Sequence, residues 1–238
     1  MRKKSFALPV LCLLCFASTA FAQKLLVEER SVKNEETVEL DSWTAGLDQD
    51  MAYCMETYGD FIKELVKVKV NKRGKSILVA EKTTFPELSD LRLDQRAIFT
   101  TESAGTAVSF TFSPGYDIHF NREAYKNEFA KGEAFVKSYV RFHYNVFYEE
   151  KRKDIEGKIK SKQNDIESNN KKTERNTKSI TENAGAAETD KTKAKNEKMQ
   201  RENDGYASDT TSKRREIEDL QEELASITKI LRKVEEFK

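Results

Sequence analysis

The chain has 238 residues, of which 35% are charged, with 42 Lys+Arg against 41 Asp+Glu. That near-neutral balance argues against nucleic acid as an obligate partner, because phosphate binding needs a basic excess on one face. The charged fraction exceeds the ~25% usual for globular domains, so a single compact core does not account for the whole chain.

The N-terminus reads MRKKSFALPVLCLLCFASTAFAQK. A basic start, a short apolar run and the small-x-small site Ala20-Phe21-Ala22 predict a cleaved secretory signal over residues 1–22. The apolar run falls short of the ~20 residues that span a bilayer, so no integral membrane segment is expected after cleavage. Removing Arg2, Lys3 and Lys4 leaves 39 Lys+Arg against 41 Asp+Glu. Cys12 and Cys15 leave as well, so Cys54 alone remains and no intramolecular disulfide can form. The expected location is exported, periplasmic or secreted.

Residues 23–148 hold the prolines that remain, the single Trp and nearly all the Phe and Tyr. They are expected to form an α+β globular domain. KLLVEERSV and ETVEL alternate as short strands. DSWTAGLDQDMAYCMETYGDFIKELVKV reads as a helix capped by Asp41 or Ser42, with Leu47, Met51, Cys54, Met55, Tyr58, Ile62 and Leu65 on one face. NKRGK is a turn in which Gly74 takes a positive φ. SILVAEKTTF, LRLDQRAIFTTE and TAVSFTFS are strands, the last two joined by an ESAG hairpin turn. SPGYDIHF is a turn into a short extended piece. Asn121 then opens a second helix, over 122–148, with a stripe running from Tyr125 through Phe129, Phe135 and Tyr139 to Phe147. This order predicts helices on one face of a small two-layer antiparallel sheet.

Residues 149–238 are expected to form a long antiparallel helical hairpin, a coiled coil. Ile159, Ile166, Thr173 and Ile180 recur every seven residues, and Ile155 adds one more apolar position. Lys162, Asn169 and Asn176 hold the other inward places, a thin seam that suggests mobility or a partner helix, including one from a second copy. NAGAAETD, residues 183–190, predicts the reversal, with Gly185 as terminator. A rival reversal at Gly205 wastes the apolar match. The preferred tip places residue i opposite 370 − i. Leu224 then meets Val146, Leu231 meets Tyr139 and Val234 meets Val136, so 217–237 pack back on helix 122–148. At ~1.5 Å per residue the arms stand ~45–50 Å clear of the body.

Chemistry is sparse. Asp117 and His119 share one face of a strand and define, with Cys54 or Ser103, the one constellation resembling a nucleophile and its base. A bland alternative places His119 at a strand end and Cys54 in the core. His143, on an apolar helix face, reads as a hydrogen-bonded packing residue. No metal-ligand spacing, phosphate-binding loop or calcium loop is present: TTESAGTAVSF lacks the phosphate-loop spacing and QRENDGYASD the calcium-loop pattern. No catalytic, cofactor-binding or metal residue is therefore assigned. The layout of signal peptide, small body and long helical hairpin resembles that of the periplasmic chaperones whose helical arms grip unfolded outer-membrane clients. That resemblance implies a holdase, though those arms are typically basic and follow a mostly β core. Three functions are carried forward: a non-catalytic envelope protein that binds protein partners through its arm, a holdase chaperone, and a hydrolase-like enzyme using the Asp117/His119/Cys54 region.

Overall fold

A computed structural model describes residues 25–33, 37–116, 118–184 and 189–237. The signal segment, Asp117 and the presumed terminator Gly185 lie outside the described residues. The fold is α+β, with a six-stranded antiparallel sheet in the order β1-β2-β6-β5-β4-β3. The strands are β1 (Val27–Lys33), β2 (Glu39–Leu47), β3 (Asn71–Arg73), β4 (Ile77–Phe85), β5 (Ser89–Glu102) and β6 (Gly105–Ser113). Three helices complete it: α1 (Met51–Val66), α2 (Lys126–Ala184) and α3 (Asp190–Glu236).

The helical spacing misleads at one boundary. Asp41–Leu47 are strand, and helix α1 starts ten residues later than Asp41. Leu47 stands four residues before Met51, so it mimics a helical neighbour. The stretch in fact alternates: Trp43, Ala45 and Leu47 enter the core, while Ser42 and Thr44 lie on the other face, where Thr44 Oγ1 meets Ser109 Oγ at 2.7 Å. The polar run Asp48-Gln49-Asp50 breaks the strand. Asp50, not Asp41 or Ser42, caps α1 by accepting the Tyr53 N–H at 2.9 Å. NKRGK is likewise more than a turn, since Asn71–Arg73 pair with β4 and form one edge of the sheet, with Gly74 at φ 62 beyond them. ESAG is the hairpin turn, with Glu102 opposite Gly105. Asn121 caps a turn, accepting from the Glu123 and Ala124 N–H groups, and the α-helix itself begins at Lys126.

The core lies between the sheet and both helices, and it is aromatic. Tyr139 of α2 meets Phe110 and Tyr58 edge-on at 5.4 and 5.5 Å, Phe135 meets Phe112 at 5.4 Å, and Trp43 stacks on Phe129 at 5.4 Å. Such pairs favour edge and offset geometries because the ring face is negative and the rim positive. Gly132 lets α2 come down on this layer, since a Cβ there would lie 2.9 Å from Trp43 Cδ1. The Trp43 indole N–H is satisfied by the Phe129 carbonyl at 2.6 Å. Helix α2 therefore runs from the Phe112 end of the body toward the Gln49 end and continues beyond it as the arm.

Candidate functional site

Two arrangements of polar groups stand out, one at the root of the arm and one along it. At the root, His143 is fully buried. Its Nε2 is 2.7 Å from Gln49 Oε1 and its Nδ1 2.7 Å from Thr57 Oγ1. A carboxamide oxygen only accepts, so Nε2 carries the proton and Nδ1 accepts from the Thr57 hydroxyl. Nearby, the Tyr139 hydroxyl donates to the Cys54 carbonyl at 2.9 Å and the Tyr53 hydroxyl to Glu150 at 2.9 Å. These bonds tie the β2–α1 turn, α1 and α2 together where the arm leaves the body.

Burial pushes the His143 pKa down from 6.5 to about 4. The unfolded chain therefore takes up a proton near pH 6.5 that the folded protein refuses until about pH 4. Stability is complete above pH 6.5 and falls as pH drops through that window, by about 3 kcal/mol in all. Urea melts of the native protein and of His143→Gln between pH 7 and 4 check this. The variant should lose this component of the acid slope, and an unchanged slope would reassign it to other groups.

The structure does not bring the sequence-predicted constellation together. Cys54 is buried beside Gln49 and Thr106, at the start of β6. His119 is half-buried and sits by the end of β6, where Phe120 N–H bonds to the Phe112 carbonyl. Six strand residues at ~3.3 Å each separate those ends by roughly 20 Å. Ser103 lies in the exposed β5–β6 turn at the Cys54 end. Burial also pushes the Cys54 thiol up to about 12, so it stays protonated at neutral pH and is a poor nucleophile. Among the described residues, no group of three or more His, Cys, Asp or Glu is placed to hold a metal ion. No helix there is long and apolar enough to cross a membrane.

Along the arm, α2 and α3 pack as an antiparallel hairpin whose seam repeats every seven residues. Helix α2 turns Ile155, Ile159, Lys162, Ile166, Asn169, Thr173, Asn176 and Ile180 inward. Its polar members are not left facing a void. Lys162 pairs with Glu216, Asn169 Nδ2 donates to Asp209 at 2.7 Å, Asn176 Nδ2 to Asn203 at 3.0 Å, and Asn183 Nδ2 to Asn196 at 2.8 Å. These rungs are one heptad apart on α2, and their α3 partners lie seven, six and seven residues apart. A polar residue at an inward position fixes register, because slipping strands it against an apolar neighbour.

The rungs correct the register. Lys162–Glu216 and Asn169–Asp209 place residue i opposite 378 − i, eight residues from the predicted 370 − i. A pairing of i with 370 − i sets the pivot at the middle of the turn-compatible stretch. In the structure α2 persists to Ala184, and a Thr189/Thr192 capping box starts α3, which moves the pivot to residue 189. Leu224 therefore faces the arm's root near Ile155 rather than Val146. Leu231 lies by Glu149 and Arg152 rather than Tyr139. Val234 faces Tyr144 rather than Val136, and the Phe237 carbonyl accepts from Arg141 at 3.0 Å. Gly205 is inside α3, not at a reversal.

The ladder is legible in the sequence only when the two helices are read together. Its signal was there: Lys162, Asn169, Asn176 and Asn183 recur at seven residues, as do Asn196 and Asn203. Asn169→Asp sets a carboxylate against Asp209, whose own pKa is held low by its Asn169 and Lys213 hydrogen bonds. It should lower the melting temperature near neutral pH, and adding Asp209→Asn should recover most of the loss, as a double-mutant thermal-melt cycle will show.

Comparison with known protein families, curated proteins and solved structures finds no match for this chain.

Proposed function

We propose that the protein is a non-catalytic exported envelope protein whose helical arm is its interaction or scaffold element. The observation that carries this reading is the heptad ladder of cross-helix polar rungs. An arm with this seam completes itself within one chain and holds one register, so it can present its outer surface at a fixed distance from the body. The root network of Gln49, Thr57 and His143 supports the same reading, because it fixes where the arm points. Export rests on the basic, apolar and Ala-x-Ala order of residues 1–22.

The holdase reading has less support. Large exposed apolar side chains among the described residues are Leu26, Val38, Leu65, Leu91, Tyr116 and Ile118, all in the body, and client capture by the arm needs apolar surface there. The hydrolase reading has less support too, since Cys54 and His119 stand at opposite ends of β6.

The test is a crosslinking pull-down from the native envelope. Full-length protein is compared with a form in which a short loop replaces residues 155–215. Specific protein partners should be recovered only with the arm intact. Recovery of the same proteins by both forms would overturn the proposal.

A further inference from the structure

We infer that the β3 edge of the body docks on an anionic bilayer surface, which leaves the arm free for its own partners. Residues 65–80 hold five Lys+Arg and no Asp or Glu. They run from the end of α1 through β3 into β4, and all of them are described residues. Lys67, Lys69, Lys72 and Lys75 are exposed and make no ion pair among the described residues. Arg73 is engaged with Glu81, which together with Glu64 bounds the run in sequence.

The backbone makes this run a ridge. Val66, Val68 and Val70 are half-buried and pack on the core, so Lys67 and Lys69, which alternate with them, point outward. β3 is an edge of the sheet. Within it, Lys72 pairs with the core residue Leu78 and leans to the helix side, while Arg73 pairs with Ile77 and leans to the other. Lys75 stands in the β3–β4 turn. The cations thus flank both sides of an edge instead of lining a pocket. Such a ridge suits a broad anionic plane met edge-on, where each Lys or Arg near the surface adds to the attraction. Edge lysines also keep a strand from pairing with another chain, but that role carries no preference among lipids.

Three features favour a bilayer over nucleic acid. The run opens at Leu65, which is 42% exposed, beside a cleft of about 220 Å³ lined by Val66, Phe85, Pro86, Leu88 and Phe135, with Glu87 its one carboxylate. Apolar surface next to lysines fits the boundary between headgroups and acyl chains, and it gains nothing against a phosphate backbone. No aromatic lies in residues 63–80 to stack an unpaired base. A duplex that took the ridge into a groove would bring phosphates against Glu56, Asp60 and Glu64, exposed on the adjoining α1, whereas a plane meets the ridge alone.

The mature full-length protein would be sedimented with phosphatidylcholine vesicles, with or without phosphatidylglycerol. Binding is expected to the anionic vesicles alone, weakening severalfold between about 50 and 200 mM salt as the charges are screened. Lys69→Glu/Lys72→Glu/Lys75→Glu should cut it about tenfold or more. A Lys→Gln version of the same triple should cut it less but measurably. Circular dichroism and gel filtration would confirm that each variant is folded and unaggregated. Leu65→Ser should weaken binding about threefold and leave its salt dependence unchanged. Lys191→Glu/Lys195→Glu/Lys198→Glu, on the arm, is the control of equal charge and should change binding less than about twofold. Equal losses from the two Glu triples, no binding to anionic vesicles, no effect of Leu65→Ser, or tighter binding to duplex DNA than to vesicles would each overturn the inference. The arm-dependent pull-down tests the scaffold reading separately, so either reading can fail alone.

Discussion

Gly105→Ala is expected to lower stability by about 4 kcal/mol, combining a forbidden backbone angle with a hard overlap. Gly105 follows the β5–β6 turn at φ 142, a region that side chains with a Cβ rarely enter. An added Cβ would overlap the Leu47 carbonyl oxygen and lie 2.9 Å from Asp48 Cα. Both obstacles are backbone, so no rotamer change relieves them. In a chain of this size that loss corresponds to a fall of about 8–16 °C in melting temperature. Gly74→Ala is the comparison. Its φ of 62 is also left-handed, but open space surrounds it, so only the conformational cost of about 1 kcal/mol applies. Thermal melts of both variants decide the matter. Equal shifts would mean that the β2–α1 turn yields, and that the arm's root is softer than its hydrogen bonds imply. The consequence reaches the arm, because the displaced turn carries Gln49, the partner of His143 and of the Thr106 hydroxyl.

The sequence revealed elements where one periodicity ruled. β5 alternates cleanly from Leu93 to Phe99, and the inward positions of α2, from Ile155 to Ile180, fall where heptad counting puts them. It misled where two periods overlapped. Leu47 satisfies both the strand alternation of Trp43 and Ala45 and the helical spacing to Met51, and only the sheet pairing of Trp43 with Phe110 decides between them. Hairpin register was illegible for another reason. The turn-compatible residues around Gly185 allow several pivots, and an apolar stripe with a position every three or four residues can be matched at more than one register, including the observed one eight residues away. The Asn rungs break that degeneracy, but only once both helices are read together. The root network was legible only as a buried His143. Its partners Gln49 and Thr57 come from 94 and 86 residues away, which no local pattern encodes.

Val234→Asp should be the most damaging change in α3, and its rank among three substitutions tests the register. Val234 is 0% exposed and belongs to the body's core cluster, so a carboxylate there has no water and no partner. The expected loss is about 4 kcal/mol. It should open α3 from its C-terminal end, raising hydrogen exchange over residues 225–236 and across from them in α2, while the Asn rungs nearer the tip stay protected. Leu224→Asp should cost about 1–2 kcal/mol, because Leu224 is half-buried at the arm's root, where Lys151 and Lys158 of α2 lie close in register. Lys193→Asp, exposed near the tip, should stay within ~0.5 kcal/mol. Under the alternative pairing of i with 370 − i, Leu224 would press on Val146 within the aromatic stripe, and its substitution would cost as much as that of Val234. Urea denaturation of the three variants separates the two registers: a graded order of Val234, Leu224 and Lys193 supports 378 − i, and equal losses at Val234 and Leu224 refute it.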